Sequence, residues 1–176
     1  LLKMPAADPG VAAAQHEGKW DTTLSNEERN WLWGSIGRQF AIKLSPQANA
    51  YFANVTKLGD LTDDMLAWKA RAALRTRSWK DVQAAIDAMS EAQQQDPTWV
   101  YWKARGLLAG GGDARRDQAR VLFESIAGTR GFYELLALEE LGQRAAAPTR
   151  PAPLTPEQKA AARGNPALNR ALYAIA

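Results

Sequence analysis

The stretch Trp68-Lys69-Ala70-Arg71 recurs 34 residues later as Trp102-Lys103-Ala104-Arg105, and the apolar positions around it recur at the same spacing. Two apolar stripes repeat: Met65, Trp68 and Ala72 correspond to Trp99, Trp102 and Gly106, while Leu66, Ala70, Ala73 and Leu74 correspond to Val100, Ala104, Leu107 and Leu108. A helix with two apolar stripes buries two faces, so we expect it to lie between neighbouring helices. Helix pairs that bury their faces against adjacent pairs predict an α-solenoid.

Helix-capping side chains and helix-stopping glycines extend this pattern along the chain. Helices are expected to begin at Ser25, Ser45-Pro46, Thr62, Ser78, Asp96-Pro97, Asp113, Phe132, Thr155 and Asn165-Pro166. A helix–turn–helix period of 34 residues resembles the tetratricopeptide repeat, and Ala119 and Phe123 have the small-then-aromatic spacing of its second helix. We therefore predict an all-α fold, a right-handed α-superhelix of TPR-like helical hairpins. Residues 31–55 are interpreted as a degenerate earlier copy.

Changes in composition divide the chain into three parts. Residues 1–143 are predicted to form the helical-repeat domain. Residues 144–154 contain three prolines among alanines and are interpreted as a link. Residues 155–176 begin with the capping box of Thr155 and Gln158, and they are predicted to start a further set of helices.

The composition excludes several classes of function. The chain of 176 residues has no cysteine and one histidine, so thiol chemistry is excluded and a transition-metal site is not expected. The net charge of +3 is dispersed rather than clustered, which favours an ordinary solvated surface over a nucleic-acid interface. No apolar run is long enough to span a membrane, and no signal peptide is recognised. No cofactor is expected.

Three residues are candidates for contact with a ligand in a groove. Trp33 lies off the main apolar stripe of its helix and is the best candidate for an exposed ring. Arg71 and Arg105 occupy equivalent repeat positions and could face an anionic polymer. The alternative for both arginines is that the aliphatic stem packs on a neighbouring helix while the charged head is solvated.

Several segments together resemble the superhelical region of the soluble lytic murein transglycosylases. They are residues 68–74 with Trp79, residues 99–105, Ala119 with Phe123 and Ile126, residues 131–133, Leu136-Ala137 and residues 140–142. The resemblance covers about residues 26–143. It implies a periplasmic protein of a Gram-negative bacterium, whose family cleaves peptidoglycan between N-acetylmuramic acid and N-acetylglucosamine without water. It also implies that peptidoglycan glycan strands are the partner, with proteins of the cell-wall machinery as further possible partners.

The family's catalytic signature is missing from this sequence. That signature places a Glu-Ser pair before a Gly-Leu-Met-Gln stretch, and Glu124-Ser125 is followed by no such stretch. We therefore carry over no catalytic residue, and we expect a fragment that is inactive alone, with the chemistry in a C-terminal domain. Two alternatives stay open: a TPR-like module that binds a protein partner, and a complete enzyme with its acids in the groove.

Overall fold

The computed structural model describes residue 10, residues 24–145, 152–153, 155–168 and residue 170. All regular structure in these residues is helical, which confirms the predicted all-α class. Backbone contacts divide the chain into one compact unit of residues 1–145 and a second of residues 146–176. The helices of the first unit are α1 (Asn26–Ile42), α2 (Ala48–Ala53), α3 (Asp63–Arg75), α4 (Trp79–Asp87), α5 (Glu91–Gln94), α6 (Pro97–Ala109), α7 (Asp113–Ile126) and α8 (Phe132–Glu140). Helix α9 (Pro156–Arg163) lies in the second unit.

The 34-residue repeat is visible in the helix boundaries. Helices α3 and α6 have 13 residues each, and they start 34 positions apart. Helices α4 and α7 also start 34 positions apart. The capping side chains repeat as well, because Thr62 accepts a hydrogen bond from the Met65 amide and Asp96 accepts one from the Thr98 amide. The sequence repeat is therefore a structural repeat of helix pairs.

Consecutive helices pack into pairs, and each pair packs on the next. Helix α1 packs against α2, α3 against α4, and α6 against α7. Each pair is joined to the next by contacts of α1 with α3, of α4 with α6 and of α6 with α8. Because the connections within pairs are short, the paired helices run antiparallel. The largest apolar cluster lies where α3, α4 and α6 meet, and its members include Leu66, Val82, Ile86 and Trp99.

Helix α1 is buried on more faces than its sequence pattern indicates. Its N-terminus has the expected cap, since Ser25 and Glu28 form a reciprocal capping box. Farther along, residues 32–37 are all buried. Gly34 and Gly37 permit this burial, because the side chains of Leu61 and Phe52 pack where a β-carbon would stand.

One predicted helix start is wrong, and two short elements lie outside the predictions. Helix α2 begins at Ala48 rather than at Ser45-Pro46, because the Ser45 hydroxyl accepts from the Gln47 amide at 3.3 Å and the chain forms a turn there first. Helix α3 ends at Arg75, and Arg77 after it takes a left-handed conformation with φ of 56°. The short helix α5 and a 3-10 turn at Leu58–Asp60 were not predicted, because neither is long enough to show an apolar period.

The second unit begins with the predicted capping box. Thr155 and Gln158 cap α9 reciprocally. Residues 166–168 are helical again, and the Asn165 side chain accepts from the Ala167 and Leu168 amides at 3.0 and 3.3 Å. Most of the predicted link at 144–154 lies outside the described residues.

Candidate functional site

An aromatic groove lies between the first helices of successive pairs. Its volume is about 440 Å³, and its walls come from the end of α1, from α3, from α6 and from α8. The side chains that give it chemical character are Trp68, Arg71, Arg75, Trp99, Trp102 and Tyr133. We call this feature the aromatic groove. A volume of this size lies in the range of small-ligand sites.

Arg71 is held between two indole rings of this groove. Its guanidinium carbon lies 5.1 Å from the ring centroid of Trp68 and 5.2 Å from that of Trp99. The spacing of three residues between Trp68 and Arg71 puts both on one face of α3, and Trp99 enters from α6. Trp99 is buried, whereas Arg71 remains exposed. The arginine thus covers a buried indole while its charge faces solvent.

The three carboxylates that line a cavity with Arg71 bond to other groups. Asp63, Asp64 and Asp96 line an adjoining cavity of about 450 Å³ together with Arg71. Asp63 accepts from the Ser90 amide and hydroxyl at 2.8 and 2.6 Å, and Asp64 pairs with Arg38. Asp96 caps α6. Within the described part of the chain, no carboxylate oxygen lies within ion-pair distance of Arg71 or of Arg75 one turn farther along α3.

The far wall of the groove is an aromatic cluster. The Trp102 indole donates to the Tyr133 hydroxyl at 3.3 Å, and the two rings lie edge to face at 6.3 Å. Trp79 approaches Trp102 from α4, with 6.5 Å between ring centroids. Trp68, Trp102 and Tyr133 are each half-buried. The cluster therefore offers ring surface to the groove while it holds α4, α6 and α8 together.

Arg105 has a different environment from Arg71, although the two occupy equivalent repeat positions. Its guanidinium pairs with Glu140 of α8, and the Tyr101 hydroxyl bonds to the same carboxylate at 3.2 Å. Burial raises the pKa of Tyr101, and the Glu140 charge adds to that increase. Arg105 does not line the aromatic groove. Its role in the structure is to join α6 to α8.

The prediction that Trp33 presents an exposed ring is wrong. Trp33 is only 7% exposed, and it packs with Leu32 and Ile36. Its ring stacks on Tyr51 of α2, with 6.1 Å between centroids. The side chain is buried because α1 is covered on several faces, so its position off the main stripe does not lead to solvent.

Among the described residues, the Glu124-Ser125 pair has only local partners. Glu124 pairs with Arg120 on the surface of α7, and the Ser125 hydroxyl donates to the Leu122 carbonyl. Among these residues no three histidine or acidic side chains are grouped to hold a metal ion. Hydrogen bonds lower the pKa of the Asp60 carboxyl, chiefly the one from Asn30, which is opposite to what a general acid needs. No described helix combines the length and apolarity needed to cross a membrane.

The described residues form an all-helical protein with a groove lined by aromatic and arginine side chains. No protein-family model matches this chain, and no curated protein matches it. Among solved structures it is similar to an inactive mutant of the lytic transglycosylase Slt from Pseudomonas aeruginosa, with 22% identity and a TM-score of 0.66. The match covers 97% of this chain and 28% of that one. Likeness at this level of identity shows a shared fold, and this chain spans little more than a quarter of that protein's length.

Proposed function

We propose that this chain is the non-catalytic helical region of a periplasmic soluble lytic transglycosylase that handles peptidoglycan glycan strands. The observation that carries the proposal is the structural likeness to Slt over nearly the whole chain. It agrees with the family resemblance of residues 68–74, 99–105 and 131–142. In this proposal the bond cleavage belongs to another domain, because Glu124-Ser125 is not followed by the Gly-Leu-Met-Gln stretch of the family's catalytic signature.

The proposed architecture is a TPR-like superhelix made by residues 1–143, followed by a link at 144–154 and the first helices of a linker region at 155–176. The packing of α1/α2, α3/α4 and α6/α7 in succession, with a 34-residue offset, supports it. In such a stack the first helices of successive pairs line one surface. The aromatic groove lies on that surface, which makes it the proposed place of contact with a glycan strand.

A sedimentation assay tests the proposed function. The chain is mixed with purified insoluble peptidoglycan over a series of salt concentrations, and the supernatant is analysed by mass spectrometry for anhydro-muropeptides. We expect the folded chain to sediment with peptidoglycan but not with cellulose, and to release no product. Absence of sedimentation at every salt concentration would contradict strand handling. Release of anhydro-muropeptides would contradict the non-catalytic role and favour an enzyme with its acids in the groove.

A further inference from the structure

We propose that the aromatic groove is a carboxylate subsite that recognises the peptide-stem carboxylates of peptidoglycan, so that the chain distinguishes carboxylated strands from neutral glycan. This inference rests on the proposed function for the source of the ligand. Its physical basis is the pair Arg71 and Arg75, which stand beside ring surfaces without a carboxylate of their own.

The two arginines form a like-charge pair. They lie four residues apart on α3, so their side chains are neighbours on one face of the helix. Two positive charges in this arrangement repel, and an anionic ligand between them removes the repulsion. The acidic neighbours are directed elsewhere: Asp63 bonds to Ser90, Asp64 pairs with Arg38, and Asp96 caps α6, so none of them forms an ion pair with Arg71 or Arg75.

The clamping of Arg71 prepares it for a planar anion. The cation–π contacts with Trp68 and Trp99 engage the positive charge of the guanidinium without an acceptor oxygen, so they do not occupy its N–H groups. Those N–H donors match the two oxygens of a carboxylate. Because the indoles already hold the guanidinium in place, binding costs less side-chain entropy than it would for a mobile arginine.

The rest of the groove suits the group that carries the carboxylate. Leu44 and Leu74 line the groove together with the half-buried rings of Trp68, Trp102 and Tyr133. Aliphatic side chains such as those of alanine residues pack on leucine, and sugar rings pack on aromatic faces. A muropeptide contains an alanine-rich stem ending in a carboxylate, next to a disaccharide. One ligand therefore matches the charged, aliphatic and aromatic parts of the groove together.

The test compares charged and neutral forms of one ligand. The probe is a disaccharide tetrapeptide, and its neutral partner is the same compound with the carboxylates converted to carboxamides. Dissociation constants are measured by calorimetry for the wild-type chain and for the double variant Arg71→Gln/Arg75→Gln. The control is Arg116→Gln/Arg120→Gln, which removes two exposed arginines with the same spacing from α7 and changes the net charge equally.

We expect the wild type to bind the carboxylate form about tenfold more tightly than the carboxamide form, as the loss of a charged hydrogen bond implies. The groove variant should lose this preference, whereas the α7 control should keep it. A thermal unfolding curve for each variant shows whether it is folded. If Arg71→Gln/Arg75→Gln is unfolded, the comparison uses Arg75→Gln alone, which leaves the stack of Arg71 on the indoles intact and should still reduce the preference severalfold.

Two results would overturn the inference. Equal affinity of the wild type for the two probes would show that the groove does not recognise carboxylates, and sedimentation with peptidoglycan would then still support the proposed function. An equal loss in the α7 control would show that only net charge matters. Equally tight binding of the free tetrapeptide, without sugar, would agree with the carboxylate subsite but would contradict a contribution of the aromatic rings to sugar binding. If the chain neither binds the probes nor sediments, the proposed function itself fails.

Discussion

Gly37→Ala should destabilise the first helix pair, because the Phe52 ring of α2 packs against Gly37 of α1. A β-carbon at Gly37 would stand 2.9 Å from the Cγ and Cδ1 atoms of Phe52. Carbon atoms in favourable contact are about 3.5–4.0 Å apart, so the added methyl overlaps the ring. The ring cannot easily withdraw, since Phe52 is 1% exposed and packs on Ala41, Ala48 and Ala72.

Two opposing terms set the size of the effect. Overpacking a well-filled core costs about 1–3 kcal/mol. Replacing a mid-helix glycine by alanine contributes about 1 kcal/mol in the opposite direction. We therefore expect a net loss of about 1 kcal/mol in the free energy of unfolding.

Urea unfolding followed by circular dichroism measures this loss as a lower midpoint at an unchanged slope. Gly59→Ala is the matched control, because a β-carbon there meets no atom within 4 Å, and it should change stability by less than about 0.5 kcal/mol. Phe52→Leu should couple favourably with Gly37→Ala, since the smaller side chain makes room for the methyl. A Gly37→Ala chain as stable as the wild type would refute the close packing of α1 on α2.

Three further variants test other parts of the structure. Burial lowers the pKa of Lys69, so at pH values between the lowered and the ordinary pKa the unfolded chain binds more protons, and stability rises with pH there. Lys69→Met should abolish this alkaline rise in urea unfolding and should stabilise the chain at neutral pH by about 1 kcal/mol. A rise that persists in Lys69→Met would count against the burial of Lys69. Lys103 pairs with Asp87, the last residue of α4, at 2.6 Å, and the equivalent positions 34 residues earlier are Lys69 and Ala53. Ala53→Asp should therefore raise the free energy of unfolding in urea by about 0.5 kcal/mol through a new ion pair with Lys69. Ala53→Asn, which adds no charge, should not reproduce this increase. Gly142 follows α8 in a left-handed conformation with φ of 70°, so Gly142→Ala should lower the free energy of unfolding by about 1 kcal/mol in thermal unfolding. An unchanged stability would show that this turn is not left-handed.

The helix pairs could be predicted from sequence because their signals are local. Thr62 and Asp96 are N-terminal caps whose hydrogen bonds reach only two or three residues along the chain. The apolar stripes of α3 and α6 are also local, since they depend only on the helical period. These two kinds of signal were enough for the all-α class and for most helix starts, and the repeated Trp-Lys-Ala-Arg stretch indicated the 34-residue offset.

The environment of each candidate site residue could not be predicted, because it depends on partners far along the chain. Arg71 and Arg105 have the same local sequence, yet Arg105 pairs with Glu140, 35 residues later, while Arg71 stacks on Trp99. Trp33 was predicted to be exposed because only one stripe of α1 was considered. Gly34 and Gly37 were the overlooked signal: glycines in a helix permit close approach by other elements, and here they allow burial of several faces.

Amide hydrogen exchange with and without solubilised peptidoglycan strands tests most directly whether strands bind in the aromatic groove. Exchange is followed by mass spectrometry of peptides from α3, α6 and α7. If strands bind in the groove, exchange slows in residues 65–75 and 97–103, which form the groove walls, and does not change in residues 113–126. Slower exchange confined to α7, or no change anywhere at saturating strand concentration, would contradict it.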